Sequence, residues 1–298
     1  MRTNGVAEQI EALRSGRAHV DLSEWRKVRA TGSEAEAWLN DLLSAELSGL
    51  AVGATRRSLL LSPTGRIRAD VTVAATDAGT MLLQDPIQPR AIDRLLDPYV
   101  LSSDVELSDV TDEFTLIAVP GAEEDPAGIP GAQPLRPSCL GAGIDLLAPI
   151  DLSSEVRPAL SNLVEAGPAA VEAWRIERGA GRFGIDLGDA SLPQEAGLDG
   201  AVAYQKGCFL GQEAVARIRN LGHPPFVMLA AHGDGPISAG ESVLSGGEDV
   251  GIVTSATTIG DGRAAAIVRV RWASRDAELS TGSGAALKQT GPASGGAA

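Results

Sequence analysis

The apolar positions of this chain change period along its length, and the changes mark its elements. Ala35, Trp38, Leu39, Leu42 and Leu43 recur at helical spacing and give one apolar helix face. Ser33-Glu34-Ala35-Glu36 just ahead fits a capping box, with hydroxyl and carboxylate each satisfying an orphan backbone amide. Ser58-Leu59-Leu60-Leu61, the turn Ser62-Pro63-Thr64-Gly65 and the alternating run from Ile67 to Val73 predict a β-hairpin. Met81 to Leu83 and Phe114 to Val119 read as further strands. Pro89 to Asp97 reads as a short helix burying Ile92, Leu95 and Leu96 and stopped by Pro98. Residues 120–137 are rich in glycine and proline and predict a long connection. Helices are expected from about Pro158 to Glu165 and from Pro168 to Arg178, the second opened by Gly167-Pro168 and closed by Gly179. Residues 190–204 read as irregular. A last helix spans Gln212 to Asn220, with Gln212 and Glu213 in the first turn, where the dipole favours acceptors and negative charge.

Beyond Pro224-Pro225 the texture shifts to short apolar runs between Gly-rich turns. Val268, Val270 and Trp272 alternate with Arg269 and Arg271 as in a half-buried strand, and the segment predicts a small β-barrel or sandwich. The expected organisation is a flexible leader over 1–17, an α+β region over 18–223 in two sub-lobes joined near 120–137, a C-terminal β-barrel over 224–279, and a disordered tail over 280–298. The tail expectation rests on its Gly, Ser and Ala content, which offers little to bury.

Composition narrows the function classes. The chain has 298 residues, enough for about two domains, and 44% are hydrophobic, so a sizeable core is expected. The formal net charge is −14, with no basic stripe in the sequence, which argues against nucleic-acid and anionic-membrane partners. Two cysteines, Cys139 and Cys208, and three histidines lie far apart, so a structural zinc or a self-ligated cluster is not expected. Two free thiols, a polar N-terminus and the absence of any run of about 18 apolar residues fit a cytoplasmic protein.

The most informative stretch is Lys206-Gly207-Cys208-Phe209-Leu210-Gly211-Gln212-Glu213. It places a thiol ahead of a helix N-terminus with an ammonium two residues away, and both features stabilise a thiolate. Gly207 and Gly211 free the backbone to bend tightly or to approach a ligand. The competing reading is that Cys208 is a small buried hydrophobe, as free cysteines commonly are. Gly179-Ala180-Gly181-Arg182-Phe183-Gly184 satisfies GxGxxG but follows a helix instead of a strand, which is the wrong context for a dinucleotide site.

The octet KGCFLGQE resembles the K-G-C-[FY]-x-G-Q-E signature of the YgfZ/GcvT-like folate-binding proteins. The resemblance extends over roughly residues 18–275, through Val28-Arg29-Ala30-Thr31-Gly32, the hairpin from Gly65 to Val73, Trp174-Arg175-Ile176-Glu177-Arg178-Gly179 and Leu192-Pro193-Gln194-Glu195. It implies an aminomethyltransferase-like fold, an α+β folate-binding region followed by a small β-barrel. It also implies tetrahydrofolate, or a one-carbon-substituted form, as cofactor, and iron–sulfur client proteins or assembly factors as partners. Carried over by position, Lys206 and Cys208 match the residues associated with function, and Gly207, Gly211, Gln212 and Glu213 complete the motif. Glu177 matches a pterin-binding carboxylate, which could accept two parallel hydrogen bonds from the pterin edge. On its own sequence context, Glu177 is equally an exposed helix acid paired with Arg175 or Arg178. Asp70 matches an acidic residue held near the reactive nitrogens of folate, and a solvated strand face is its alternative. Four positions on, where those transferases tend to carry tyrosine, this chain has Ala74. Arg175, Arg178, Arg182 and Arg217 are candidates for the glutamyl carboxylates.

Three functions follow as expectations: a folate-binding accessory factor for iron–sulfur proteins with Cys208 as reactive thiolate, a tetrahydrofolate-dependent aminomethyltransferase, and a folate-binding scaffold without chemistry of its own.

Overall fold

The computed structural model describes residues 5–101, 103–260 and 262–293. In chain order the first half contains α1 (Val6–Arg14), β1 (Ala18–Asp21), β2 (Arg26–Thr31), α2 (Ala35–Leu42), β3 (Thr55–Leu61), β4 (Ile67–Thr76), β5 (Gly79–Gln84), α3 (Ile92–Leu96), β6 (Glu106–Asp109) and β7 (Phe114–Pro120). There follow β8 (Gln133–Leu135), β9 (Gly143–Pro149), α4 (Ser153–Ala159), β10 (Val164–Glu165), α5 (Pro168–Glu177) and α6 (Gln212–Leu221). The chain ends in β11 (Phe226–Gly233), β12 (Ser242–Ser245), β13 (Glu248–Gly260), β14 (Arg263–Arg271), β15 (Leu279–Thr281) and β16 (Ala286–Pro292).

These elements form two open sheets and a closed barrel. One sheet has the order β3-β4-β5-β2-β6 and the other β10-β1-β7-β9-β8, and the barrel runs β11-β14-β13-β12-β15-β16. The predicted hairpin is present, with Leu59 opposite Asp70 and Arg57 opposite Thr72. In β4 Ile67, Ala69 and Val71 alternate as buried positions with the half-buried Arg68 and Asp70, the period of two expected of a strand, and from Val71 to Ala74 both faces are covered. The first sheet packs on α2 and α3 through Trp38, Leu39, Ile92 and Leu96. The barrel interior is filled by aliphatic residues such as Val243, Val253, Val268 and Val270, in keeping with the scarcity of aromatics.

Helix α5 is the keystone. It packs against α1 and against barrel strands β13 and β14. Arg175, in its last turn and only 8% exposed, donates to Asp186 at 2.8 Å and to Ser255 on the barrel at 2.9 Å. Asp186 in turn accepts from the Thr254 and Ser255 hydroxyls at 2.6 and 2.7 Å, so this buried charge pair is fully hydrogen-bonded where the lobes meet.

Four expectations are corrected. The leader is not loose: over Val6–Arg14 it is a helix whose Ala12 and Leu13 are buried, because Val6, Ile10 and Leu13 repeat at helical spacing. Residues 1–4 of that leader lie outside the described residues. The tail supplies β15 and β16, and β16 pairs with β11 to close the barrel. The gain there is a main-chain ladder that removes a free sheet edge, so little side-chain hydrophobicity is needed; residues 294–298 lie outside the described residues. The capping box does not form. Instead Ser33 Oγ donates to Asp104 Oδ2 at 2.6 Å and the Asp104 amide donates to Glu34 at 2.6 Å, a reciprocal pair made across the fold. The helix expected from Pro158 to Glu165 is α4, in whose last turn Pro158 sits, and Val164–Glu165 is a strand parallel to β1.

Candidate functional site

Where the two sheets and α5 converge there is a cavity of about 530 Å³, within the range of small-molecule sites. Its apolar wall includes Val20, Leu22, Trp25, Val71, Leu83 and Trp174. The loop carrying Trp25 is tied down from beneath by Lys27, fully buried, whose ammonium donates to the carbonyls of Ser23 (2.7 Å) and Trp25 (2.9 Å).

Asp70 stands on the cavity wall, one strand-diagonal from Arg57. The Arg57 guanidinium forks onto it, Nε to Oδ1 at 2.8 Å and Nη2 to Oδ2. Burial alone would lower the Arg57 pKa, but the Asp70 carboxylate outweighs that and raises it. Gln88 holds the same stretch of strand by its backbone, accepting from the Asp70 amide at 3.1 Å and donating to the Asp70 carbonyl at 2.6 Å. Asp70 is therefore fixed in place, and the solvated-face alternative does not hold for it: its side chain is 11% exposed.

The cations at the cavity divide into paired and unpaired. Arg182 is forked by Asp85 at 2.6 and 3.0 Å. Arg175 is held by Glu172 at 2.7 Å and by Asp186. Arg178 is different. Its guanidinium lies 4.2 Å above the Trp174 ring and donates to the Leu140 carbonyl at 3.2 Å, and among the described residues no carboxylate pairs with it. Cys139 also lines this cavity. Burial, and then the neighbouring Asp145, push its thiol well above the ordinary range, so it faces the cavity as a neutral S–H. Asp145 accepts from the Cys139 amide at 2.7 Å, and burial raises its own pKa to about 6.

The other residues singled out from the sequence lie elsewhere. Glu177 accepts from Arg14 at 2.7 and 3.0 Å, not from Arg175 or Arg178. It lines a second cavity, of about 660 Å³, on the far side of Trp174 and Arg178, and so does not share a chamber with Asp70. Cys208 is exposed and borders neither cavity. The Lys206 ammonium, expected to serve that thiol, donates to the carbonyls of Asn40 (2.5 Å), Leu43 (2.6 Å) and Ala45 (2.7 Å), and burial lowers its pKa to about 8. All three of its protons are committed to the last turn of α2 and the residues that follow it, which corrects its activating role.

Gly211 has φ +82°, and a Cβ there would stand 2.4 Å from the Ser62 carbonyl oxygen, so this glycine lets the hairpin turn abut α6. Gly207 has open space around it. Gln212, Glu213 and the exposed Arg217 line neither cavity. Phe209 is buried among Leu59, Leu61, Ile67 and Val215, so the octet joins the hairpin to α6. Among cavity residues, Trp25, Arg57, Asp85 and Cys139 escaped the sequence reading. Arg57 alone had a signal, as a cation one residue ahead of the predicted strand and diagonal to Asp70 in its register.

Comparison with known proteins supplies the relationship. Residues 2–124 match the GCVT N-terminal domain family. An aminomethyltransferase of Rubrobacter xylanophilus is 28% identical over 280 residues, covering 85% of this chain and 75% of that protein. An aminomethyltransferase of Streptomyces coelicolor is 26% identical, covering 86% of this chain and 78% of that protein. The crystal structure of glycine cleavage system aminomethyltransferase T from Bartonella henselae superposes with a TM-score of 0.81 at 21% identity, covering 96% of this chain and 88% of that one. The fold is thus GcvT-like, with mixed α and β structure followed by the closed six-stranded barrel.

Proposed function

Starting from a GcvT-like chain related to folate-binding proteins, we propose that this protein binds a tetrahydrofolate in the cavity at Asp70 and acts in one-carbon transfer of the aminomethyl type. The observation that carries the reading is Asp70 itself: a carboxylate locked by Arg57 on the wall of a largely apolar, folate-sized chamber. The chamber fits the group on its own features. Trp25 and Trp174 line it with aromatic surface, Asp70 offers an acceptor for ring N–H groups, and Arg178 offers a cation without a carboxylate partner among the described residues. Tetrahydrofolate, when bound, would supply the nucleophilic nitrogens that take up a one-carbon unit.

The chain's own residues then divide the work. The Asp70 carboxylate orients the bound ring and can take or hold a proton at its oxygens, a role open to a carboxylate within hydrogen-bond reach. Arg57 keeps that carboxylate in one rotamer. Trp25, Trp174 and Leu83 exclude water, which strengthens each polar contact inside. Arg178 binds a carboxylate of the folate tail. The similarity to two aminomethyltransferases over most of both chains supports this reading. Ala74, fully buried in the sheet, leaves no hydroxyl at that point of the strand, so the polar groups that β4 presents to the chamber are Asp70 and Thr72.

The test is calorimetric titration of tetrahydrofolate, followed by an assay for ammonia and methylenetetrahydrofolate released from an aminomethylated lipoyl carrier. Asp70→Asn is expected to keep binding within a few fold and to lower transfer by about a hundredfold, the usual size of a lost acid–base contribution. Absence of folate binding by the wild-type chain would overturn the reading.

A second reading, an accessory factor for iron–sulfur proteins, is favoured by one observation: Cys208 in its octet is exposed, outside the folate chamber, and open to a partner. A single thiolate cannot hold a cluster alone, so a partner would have to complete any contact. Loss of iron–sulfur enzyme activity in cells carrying Cys208→Ala would support it, and full activity would remove it.

A further inference from the structure

The second cavity has a character that the folate chamber does not. Its charged lining is Arg14, Arg178 and Arg263 against the single carboxylate Glu177, in a chain whose net charge is −14. Arg14 is committed to Glu177, 2.7 Å away. That leaves Arg178 and Arg263, neither of which pairs with a carboxylate among the described residues, and His232 on β11 beside them. Gly16 and Gly121 also line this space, and their backbones approach so closely that a Cβ on Gly121 would lie 3.2 Å from the Gly16 Cα. Arginine side chains gathered around a hollow of about 660 Å³ present forked donors to whatever enters it.

We infer that this second cavity is a binding site for an oligocarboxylate, gripped by Arg178 and Arg263 with His232 alongside. Guanidinium forks match carboxylates bidentately, which sets this chemistry apart from that of a neutral ligand. Two sources can deliver it. One is the γ-glutamyl tail of the folate proposed above, passing Trp174 and Arg178, which line both cavities; this source rests on the proposed function. The other is a separate small polycarboxylic acid, which does not.

The experiment is isothermal titration of the full chain with tetrahydrofolate monoglutamate, tetrahydrofolate triglutamate and citrate, for wild type and Arg263→Gln. Arg263 is exposed, so the variant should fold, and a circular dichroism melt checks this. If the tail is the source, triglutamate binds wild type about tenfold more tightly than monoglutamate, the scale of one charge-assisted contact. Arg263→Gln removes that preference while leaving monoglutamate affinity unchanged. If a separate acid is the source, mono- and triglutamate bind alike, and citrate binds wild type but not Arg263→Gln. Equal affinity for both folates together with no citrate binding overturns the inference. Failure of monoglutamate to bind sinks the proposed function instead, and citrate binding lost in Arg263→Gln would leave the site standing without it.

Discussion

Asp145 shows how one buried group sets a pH dependence. It is fully buried, with Ser138 Oγ and the Cys139 amide donating to it, yet burial dominates and lifts its pKa from 3.8 to about 6. Below the lower value it is protonated in both the folded and the unfolded chain. As pH rises toward 6, the unfolded chain releases this proton first, so the folded state loses stability across that window, by on the order of 3 kcal/mol. Asn at this position can still accept from the Cys139 amide and donate to Ser138. Denaturant midpoints taken from pH 4 to 6 should therefore fall with pH in wild type by more than in Asp145→Asn. Parallel curves would show that Asp145 titrates normally. Lys206 and Cys208, two residues apart, are expected to behave in opposite ways. Lys206→Met strips a donor from three carbonyls and should cost about 2–4 kcal/mol. Cys208→Ala touches an exposed side chain and should stay within about 0.5 kcal/mol. Urea denaturation of the two variants separates the fold-holding part of the octet from the part left for a partner.

The hairpin of β3 and β4, α5 and α6 are the elements that bring the site together. The hairpin was legible because its turn residues and two-residue alternation are local properties, and α5 because proline opens it and glycine closes it. The N-terminus of α6 was legible for the same reason, but its steric reason was not. Gly211 must be glycine because the turn of a hairpin some 150 residues earlier presses its Ser62 carbonyl against it. Gly211→Ala should lower stability by more than about 2 kcal/mol, combining left-handed strain with a backbone clash. Gly207→Ala, in open space, should leave the melting temperature within a degree or two. A melting curve of Gly211→Ala that overlays wild type would contradict the packing described for this junction.

At the scale of the whole molecule, the barrel and the site depend on segments that looked dispensable. Ending the chain after residue 278 removes β15 and β16 and leaves β11 and β12 as open edges. Such a chain should aggregate, as judged by light scattering of the purified protein, because unpaired strand edges recruit other chains. A monomeric, folded truncation would show that the closing strands are ornamental. The sequence by itself determined the periodic elements, the positions of the turns and the change to short strands after Pro224-Pro225, since each is written within a few consecutive residues; Asp70 became a candidate only through the family resemblance. Only the tertiary structure decided which charges meet. Arg182 finds Asp85 across 97 residues and Arg14 finds Glu177 across 163. Ion pairing depends on where packed lobes aim their side chains, and that direction is absent from any local pattern. The same physics carried Cys208 to the surface and set Cys139, a residue with no motif around it, against the chamber wall.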